Sequence, residues 1–273
     1  MGDVNYKVVN GVKLLTFDKW ADDKQMVHAF TTKIGGVSSG IYESLNLGFN
    51  RGDDRVNVVA NYQKVADALG VELSSMVLSR QVHETNIAKV TQEDKGNGIL
   101  FPNKWESMDG IYTTEDDITL VTHYADCVPL FFYSKKHHII GMAHAGWRGT
   151  VARIGANMVN IWKNTDGIDP SDIEVAIGPS IGVCHFEVGP EVAEVFEKEF
   201  KNADFIESKP NGKYNIDLWK CNKRVLMEAG IKEENITVAG VCTYCNSDIY
   251  YSHRKTNGQR GTLAGIMCLH PCE

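Results

Sequence analysis

Three residues far apart in the chain carry the donor types of a catalytic metal site: His83, Cys127 and His144. Two imidazoles and a thiolate are good zinc ligands, and three protein ligands leave the fourth tetrahedral position to water or substrate. An ion there would hold the Cys127 sulfur deprotonated and lower the pKa of a bound water toward neutrality. Without a metal, the same side chains spell a cysteine hydrolase, with Cys127 attacking and His144 as its base. Taken singly, each histidine also fits a structural role, and Cys127, inside an apolar stretch, fits a packing thiol.

A second constellation competes. HFE sets His185 two residues before Glu187, and CTYC spaces Cys242 and Cys245 as a C-x-x-C pair. Together they imitate the zinc nucleoside-deaminase signature, in which H-x-E supplies a ligand and a proton shuttle and P-C-x-x-C two thiolates. Val241 stands at the proline position and the gap between the halves is long, so coincidence or a redox pair is the competing reading. The stretch MAHAGWRGT adds an anion candidate. Ala143 and Ala145 leave space around His144, Gly146 permits a turn closed to other residues, and Arg148 presents a planar fork to a carboxylate or phosphate. The plainer reading makes Arg148 a surface residue at a helix start and Trp147 core filling.

These groups need elements to hold them. Apolar runs that read as strands are MVLSRQV, ITLVTHY, VPLFFYS, HHIIGMAH, IEVAIG, ITVAGV and TLAGIMCL. Helices are expected over 53–69, opened by Asp53-Asp54 and stopped at Gly70, and over 149–163, 189–200 and 217–229, the last capped by Asp217 and stopped at Gly230. Strands recur with and without intervening helices, which predicts a mixed α/β architecture rather than a regular doubly wound sheet. Glycine-rich and polar motifs gather where the strands end, the usual seat of chemistry on a rigid scaffold.

Composition narrows the function. The chain has 273 residues, 43% hydrophobic, with a net charge of −7 and no basic run, which speaks against a nucleic-acid surface. An anionic ligand would need a local pocket working against the overall field. No apolar segment approaches membrane-spanning length, no signal peptide is legible, and Tyr6 stands where a myristoylation signal needs Ser or Thr. Seven cysteines, an odd number without an export signal, predict a reducing cytoplasm and mostly free thiols.

In order along the chain, GGVSSGIYESLNLG, QVH, ADCVPL, AHAGWRGT, IGPSIGVCHFEVG and CTYC…YYSHR…GQRG closely resemble the YfiH/YlmD family, known both as laccase-domain or multicopper polyphenol oxidases and as purine nucleoside phosphorylases. The likeness covers nearly the whole chain. It implies a compact single-domain α/β (α+β) fold over 1–273, with mixed sheets layered between helices. It also implies that His83, Cys127 and His144 are the ligands of a zinc ion, or of copper under the laccase label, and that HFE/CTYC is a decoy. The implied activities are phosphorolysis of adenosine, inosine and methylthioadenosine, with deamination of adenosine; some relatives are described instead as editing hydrolases of a cell-wall precursor.

For phosphorolysis, Arg148 is the first choice to hold phosphate, with Lys33, Arg51 and Arg260 behind it. Asn46 and Asp126 are candidates for the sugar or base, and Asp126 equally for orienting a histidine ligand. Three positions depart from the family pattern: Lys33 and Tyr62 stand where arginines are usual, and Glu84 where glycine is. A phenol oxidase fits the scattered nine histidines poorly, since multicopper oxidation uses paired histidine motifs and no H-x-H occurs. A non-catalytic protein stabilised by zinc is the remaining alternative.

Overall fold

A computed structural model describes residues 4–271. The chain opens with a hairpin, β1 (Val4–Val9) and β2 (Val12–Phe17), followed by β3 (Met26–Thr31), helix α1 (Arg55–Leu69) and β4 (Met76–Leu78). Next come β5 (Ile87–Lys89), β6 (Gly110–Thr113), β7 (Thr119–Tyr124), β8 (Val128–Ser134) and β9 (Ile139–Ala145). Helices α2 (Trp147–Val151) and α3 (Ile154–Thr165) lead to β10 (Glu174–Ile177), β11 (Glu187–Val188) and α4 (Pro190–Glu199). Beyond them lie β12 (Ile206–Ser208), β13 (Tyr214–Ile216), α5 (Leu218–Glu228), β14 (Ile236–Val238), α6 (His253–Thr256) and β15 (Leu263–Leu269).

The strands form two six-stranded mixed sheets, ordered β1-β2-β3-β15-β7-β4 and β14-β10-β8-β9-β6-β5, and a small sheet β11-β13-β12. Period-two alternation decides the layers. In β8, Phe131 and Tyr133 meet the first sheet, whereas Leu130 and Phe132 meet Ile154, Met158 and Trp162 of α3. In β15, Leu263 and Met267 face the second sheet, while Ala264 and Ile266 pack on Val58, Tyr62 and Val65 of α1. The two sheets therefore stack face to face with helices on both outer faces, the mixed α+β layering expected. Strands buried on both faces read as continuous apolar runs, which is why β7, β8 and β15 stand out in the sequence. No helix among the described residues is long and apolar enough to cross a membrane.

Caps agree with their signals. Asp54 accepts from the Val56 amide at 2.9 Å and Gly70 closes α1 in the left-handed region, while Asp217 accepts from the Trp219 and Lys220 amides at 3.0 Å each. One expected helix is divided: over 149–163 the structure has α2 and α3, broken where Arg153 takes φ +57°. Arg153 is held there by Glu199 and Glu228, both at 2.6 Å, which anchors the corner to α4 and α5. The run MVLSRQV yields only the short β4, because its second half becomes a site loop.

Strands β1 to β3 lie outside the seven apolar runs because β1 is an exposed edge strand and β2 and β3 carry polar residues at buried positions. His28 is the clearest case: it is 6% exposed, and its Nε2 accepts the Phe17 amide at 2.8 Å. Burial, reinforced by the Lys7 charge, pushes its pKa from 6.5 down to about 4. Between those values the unfolded chain takes up a proton that the folded chain refuses. Stability from neutral His28 is thus complete above pH 6.5 and is lost as the pH falls toward 4, by about 3 kcal/mol. Urea unfolding from pH 7 to 4 is expected to show that loss. In His28→Gln, which keeps an acceptor for the Phe17 amide, the pH slope should shrink by about one proton, roughly 1.4 kcal/mol per pH unit; an unchanged slope would contradict the assignment.

Candidate active site

Twice the chain crosses from the first sheet to the second: between β4 and β5, and between β7 and β8. His83 sits in one crossing and Cys127 in the other. His144 stands near the end of β9, opposite Pro129 of β8, on the face that Ile140 and Met142 turn toward the first sheet. One donor atom from each of the three lies within 4.8 Å of the others, His83 exposed, Cys127 half-buried and His144 buried. The His83 and His144 rings meet edge to face at 4.8 Å, and His83 Nε2 is 3.9 Å from Cys127 Sγ.

Asp109, just ahead of β6, organises this set. Its fully buried carboxylate accepts the Val82, His83 and Glu84 amides, each at 3.0 Å, and pairs with His144 Nδ1 at 2.8 Å. Three successive amides can converge on one acceptor because His83 takes a left-handed φ of +69°, which makes the loop an anion nest. With Nδ1 engaged, His144 offers Nε2 to the site. Burial works to raise the Asp109 pKa, but the His144 bond and the amides outweigh it and hold the carboxylate below its usual range. Burial likewise works to raise the Cys127 thiol, yet the His144 charge and bonds from His144 and His83 bring it down to about 6. His144, disfavoured as a cation by burial, is lifted to about 9 by Cys127 and Asp109. Cys127 is therefore predisposed to the thiolate that a metal binds.

Gly146 answers for the glycine in HAGWRG. A Cβ there would crowd His83 Cδ2 at 3.0 Å and Cys127 Sγ at 3.2 Å and would touch His144 Cε1 at 3.6 Å, so it would press on two of the three donor side chains. The donor chemistry, the convergence of the three side chains and this clearance fit a bound metal ion.

The three donors line a cavity of about 880 Å³ whose wall also carries Arg51, Arg55, Arg80 and Arg260, and no carboxylate among the described lining residues. Arg260 is 7% exposed; its Nη1 donates to Gly261 O at 3.0 Å and Thr262 Oγ1 at 3.2 Å, while its buried Nε has no partner. Burial and the nearby Arg51 push its pKa down to about 10. Burial, then Arg260 and Arg51, pushes His123 in the same wall down to about 3, so its ring is neutral. Apolar surface faces the same space: Phe49, stacked on Tyr62 at 5.5 Å, with Leu100 and the 62%-exposed Phe101.

Other expected residues lie elsewhere. Arg148, the first choice for phosphate, is exposed on α2 with its guanidinium 4.3 Å over the Trp147 ring, and it does not line the cavity. Lys33 Nζ donates to the Ser247 carbonyl at 2.8 Å. Asn46 is buried and accepts the Gly48 and Thr262 amides at 2.9 Å each, so it shapes the cavity wall from behind. Asp126 orients no histidine: it accepts from Thr243 Oγ1 at 2.6 Å and the Arg254 amide at 2.7 Å, and Asp109 has the role considered for it. Tyr62 is committed to His123 Nε2 at 2.6 Å, and Glu84 to Ser107 and Asn86. Sequence reasoning missed Asp109, which sits in an unremarked MDG ahead of a short strand. The HFE/CTYC reading also changes: Glu187 pairs with Lys209 and Lys213, while the neighbouring Cys184 joins His185, Cys242 and Cys245 in a second cluster.

Comparison with known proteins agrees with this geometry in extent. The model of the family described as multi-copper polyphenol oxidoreductase laccase matches residues 27–270. Purine nucleoside phosphorylase YlmD of Bacillus subtilis (strain 168) is 38% identical over 259 residues, covering 93% of each chain. A purine nucleoside phosphorylase of Bacteroides thetaiotaomicron is 32% identical over 264 residues, 93% of this chain and 96% of its own. Among solved structures, YlmD from Geobacillus stearothermophilus matches with a TM-score of 0.91 at 34% identity, covering 99% of this chain and 100% of that one. The Bacillus licheniformis hypothetical protein YfiH matches at 0.89 with 33% identity, covering 97% and 98%. With the match running through β3 to β15 and every residue of the His/Cys/His set, the chain belongs to the multi-copper polyphenol oxidoreductase laccase family, that of YfiH and YlmD.

Proposed function

We propose that this protein is a metal-dependent purine nucleoside phosphorylase that uses His83, Cys127 and His144 as ligands, takes adenosine, inosine and methylthioadenosine, and also deaminates adenosine. The observation that carries the reading is one cavity joining an open His/Cys/His donor set to four arginines and no carboxylate. Relatives carrying the name purine nucleoside phosphorylase support it.

The residues divide the work. Arg260, with an unpartnered buried Nε, and the adjacent Arg51 hold phosphate, since a guanidinium fork matches phosphate oxygens and a buried cation gains most from an anion. Neutral His123 keeps that wall polar without adding charge. Phe49, Leu100 and Phe101 offer the flat apolar surface on which a purine stacks. In the reaction a phosphate oxygen bonds the anomeric carbon as the bond to the purine nitrogen breaks, through an oxocarbenium-like sugar, and the proton given up by hydrogen phosphate ends on the leaving purine. Zinc held by His83, Cys127 and His144 would supply Lewis acidity to the cavity they line. Imidazole and thiolate donors also accept copper.

Inosine with phosphate is expected to give hypoxanthine and ribose 1-phosphate, with no turnover when phosphate is left out; free ribose would make the protein a hydrolase. Cys127→Ala should reduce turnover to background along with metal content. Arg260→Met should raise the KM for phosphate at least about tenfold, the loss of one or two charge-assisted hydrogen bonds, and leave that for inosine less changed. Turnover surviving complete chelation, with a thioester trapped on Cys127, would instead favour a cysteine nucleophile. Oxygen uptake with phenols by copper-loaded protein, without nucleoside turnover, would favour the oxidase reading.

Metal affinity should depend on residues that touch no substrate. Asp109→Asn is expected to weaken binding about 10- to 100-fold in competition with a chelator. Gly146→Ala should weaken it as well, since its Cβ meets the ligands. Unchanged affinity in both would remove the metal from this site.

A further inference from the structure

The second cluster lies at the far edge of the second sheet. β10 and β14 run parallel, and their pairing continues past the strand ends through the Ser180–Cys242 bridge, where Ser180 N donates to Val241 O at 3.2 Å and Thr243 N to Ser180 O at 3.0 Å. Two loops that leave the same end of the sheet are thus held in register. One carries Cys184 and His185, the other Cys242 and Cys245. All four donor atoms lie within 4.8 Å of one another.

Their separations identify the use. Cys184 Sγ is 3.7 Å from Cys242 Sγ and 3.6 Å from Cys245 Sγ. His185 Nδ1 is 3.1 Å from Cys184 Sγ and 3.3 Å from Cys245 Sγ. Zinc–sulfur bonds of about 2.3 Å in a tetrahedron set sulfurs about 3.7 Å apart, with nitrogen–sulfur edges slightly shorter. A disulfide would need about 2.05 Å and would leave a thiol and the imidazole unused. Supporting contacts resemble those around a held ion. The Gly182 amide donates to Cys242 Sγ at 3.2 Å, and the His185 ring is fixed by stacking on Tyr244 at 3.8 Å and 17°. Lys255 Nζ, 4.5 Å from the Tyr244 ring centre, adds a positive charge on the Cys245 side of the cluster. Cys242 is buried, while Cys184 and Cys245 reach the surface, so an ion can load from solvent.

We propose that Cys184, His185, Cys242 and Cys245 form a second, structural zinc site with all four positions filled by protein. Loading releases the thiol protons and forms four bonds, leaving no place for water or substrate. Glu187, the only carboxylate of the HFE motif, is spent on Lys209 and Lys213, which removes the proton shuttle a deaminase would need. The site acts on the cavity through position. Thr243, between two ligands, donates to the Asp126 carboxylate at 2.6 Å, and Ile181 N, three residues before Cys184, donates to Asp126 O at 2.9 Å. Asp126 takes φ +84° and directly precedes Cys127. Cross-linking the two loops therefore braces the backbone that presents the first site's sulfur.

Elemental analysis of protein purified without chelator is expected to find one zinc per cluster, two per chain. Cys184→Ser and Cys245→Ser should each lose one zinc, and Cys127→Ala should lose the other. Cys127→Ala protein reconstituted with cobalt(II) should show a strong thiolate-to-cobalt charge-transfer band and tetrahedral d–d bands, independent of any nucleoside turnover and of whether the Cys184 and Cys245 variants fold. Metal content unchanged in Cys184→Ser and Cys245→Ser, absence of those bands, or a Cys184 disulfide in the unreduced wild type would overturn the proposal.

Discussion

The candidate site depends on one buried carboxylate. Removing Asp109 from water without compensation would cost several kcal/mol, yet it meets three backbone amides and an imidazole, all at 3.0 Å or less. The same four bonds set the geometry of two donors. They draw the loop of residues 82–84 into a left-handed turn at His83, a conformation that costs energy unless the surroundings impose it. They also fix which nitrogen His144 presents. A single anion thus ties a loop leaving the first sheet to a strand end in the second.

Stacked sheets explain why chemistry collects here. Where the chain passes from one sheet to the other its backbone leaves both ladders, so these crossings have hydrogen-bonding groups and irregular dihedrals to spare. Both crossings fall at one end of the sandwich, and His83 and Cys127 occupy them. The cavity beside them inverts the electrostatics of the molecule. A chain of net charge −7 gathers four arginines around one space and no described carboxylate, and low-dielectric walls strengthen that field. An anionic ligand is drawn to that cavity rather than to the acidic surface around it.

Asp126 links the two cysteine-bearing regions without serving as a ligand in either. Its carboxylate and carbonyl are gripped by Thr243, Arg254 and Ile181, and its strained φ aims the next residue at the donor set. Rigidity at this point matters because a metal site tolerates little looseness in its ligands. The loops after β10 and β14 buttress this point, and the three thiols they carry lie in those loops rather than in the cavity wall.

Local order reveals what local order controls. Alternation and uninterrupted apolar character disclosed β7, β8, β9, β10 and β15, and side-chain caps disclosed α1 and α5, because strand pleat and helix ends are settled within a few residues. Donor types at strand ends marked His83, Cys127 and His144, and family motifs made them a set. Convergence is a different matter. Whether Asp109 or Asp126 reaches a histidine, whether Arg260 or Arg148 faces the cavity, and whether Cys184 joins a C-x-x-C pair sixty residues away depend on sheet order, on the turn of α2 and on the register of β10 with β14. Those are long-range pairings, and no spacing along the chain encodes the direction in which a side chain points once two sheets have stacked.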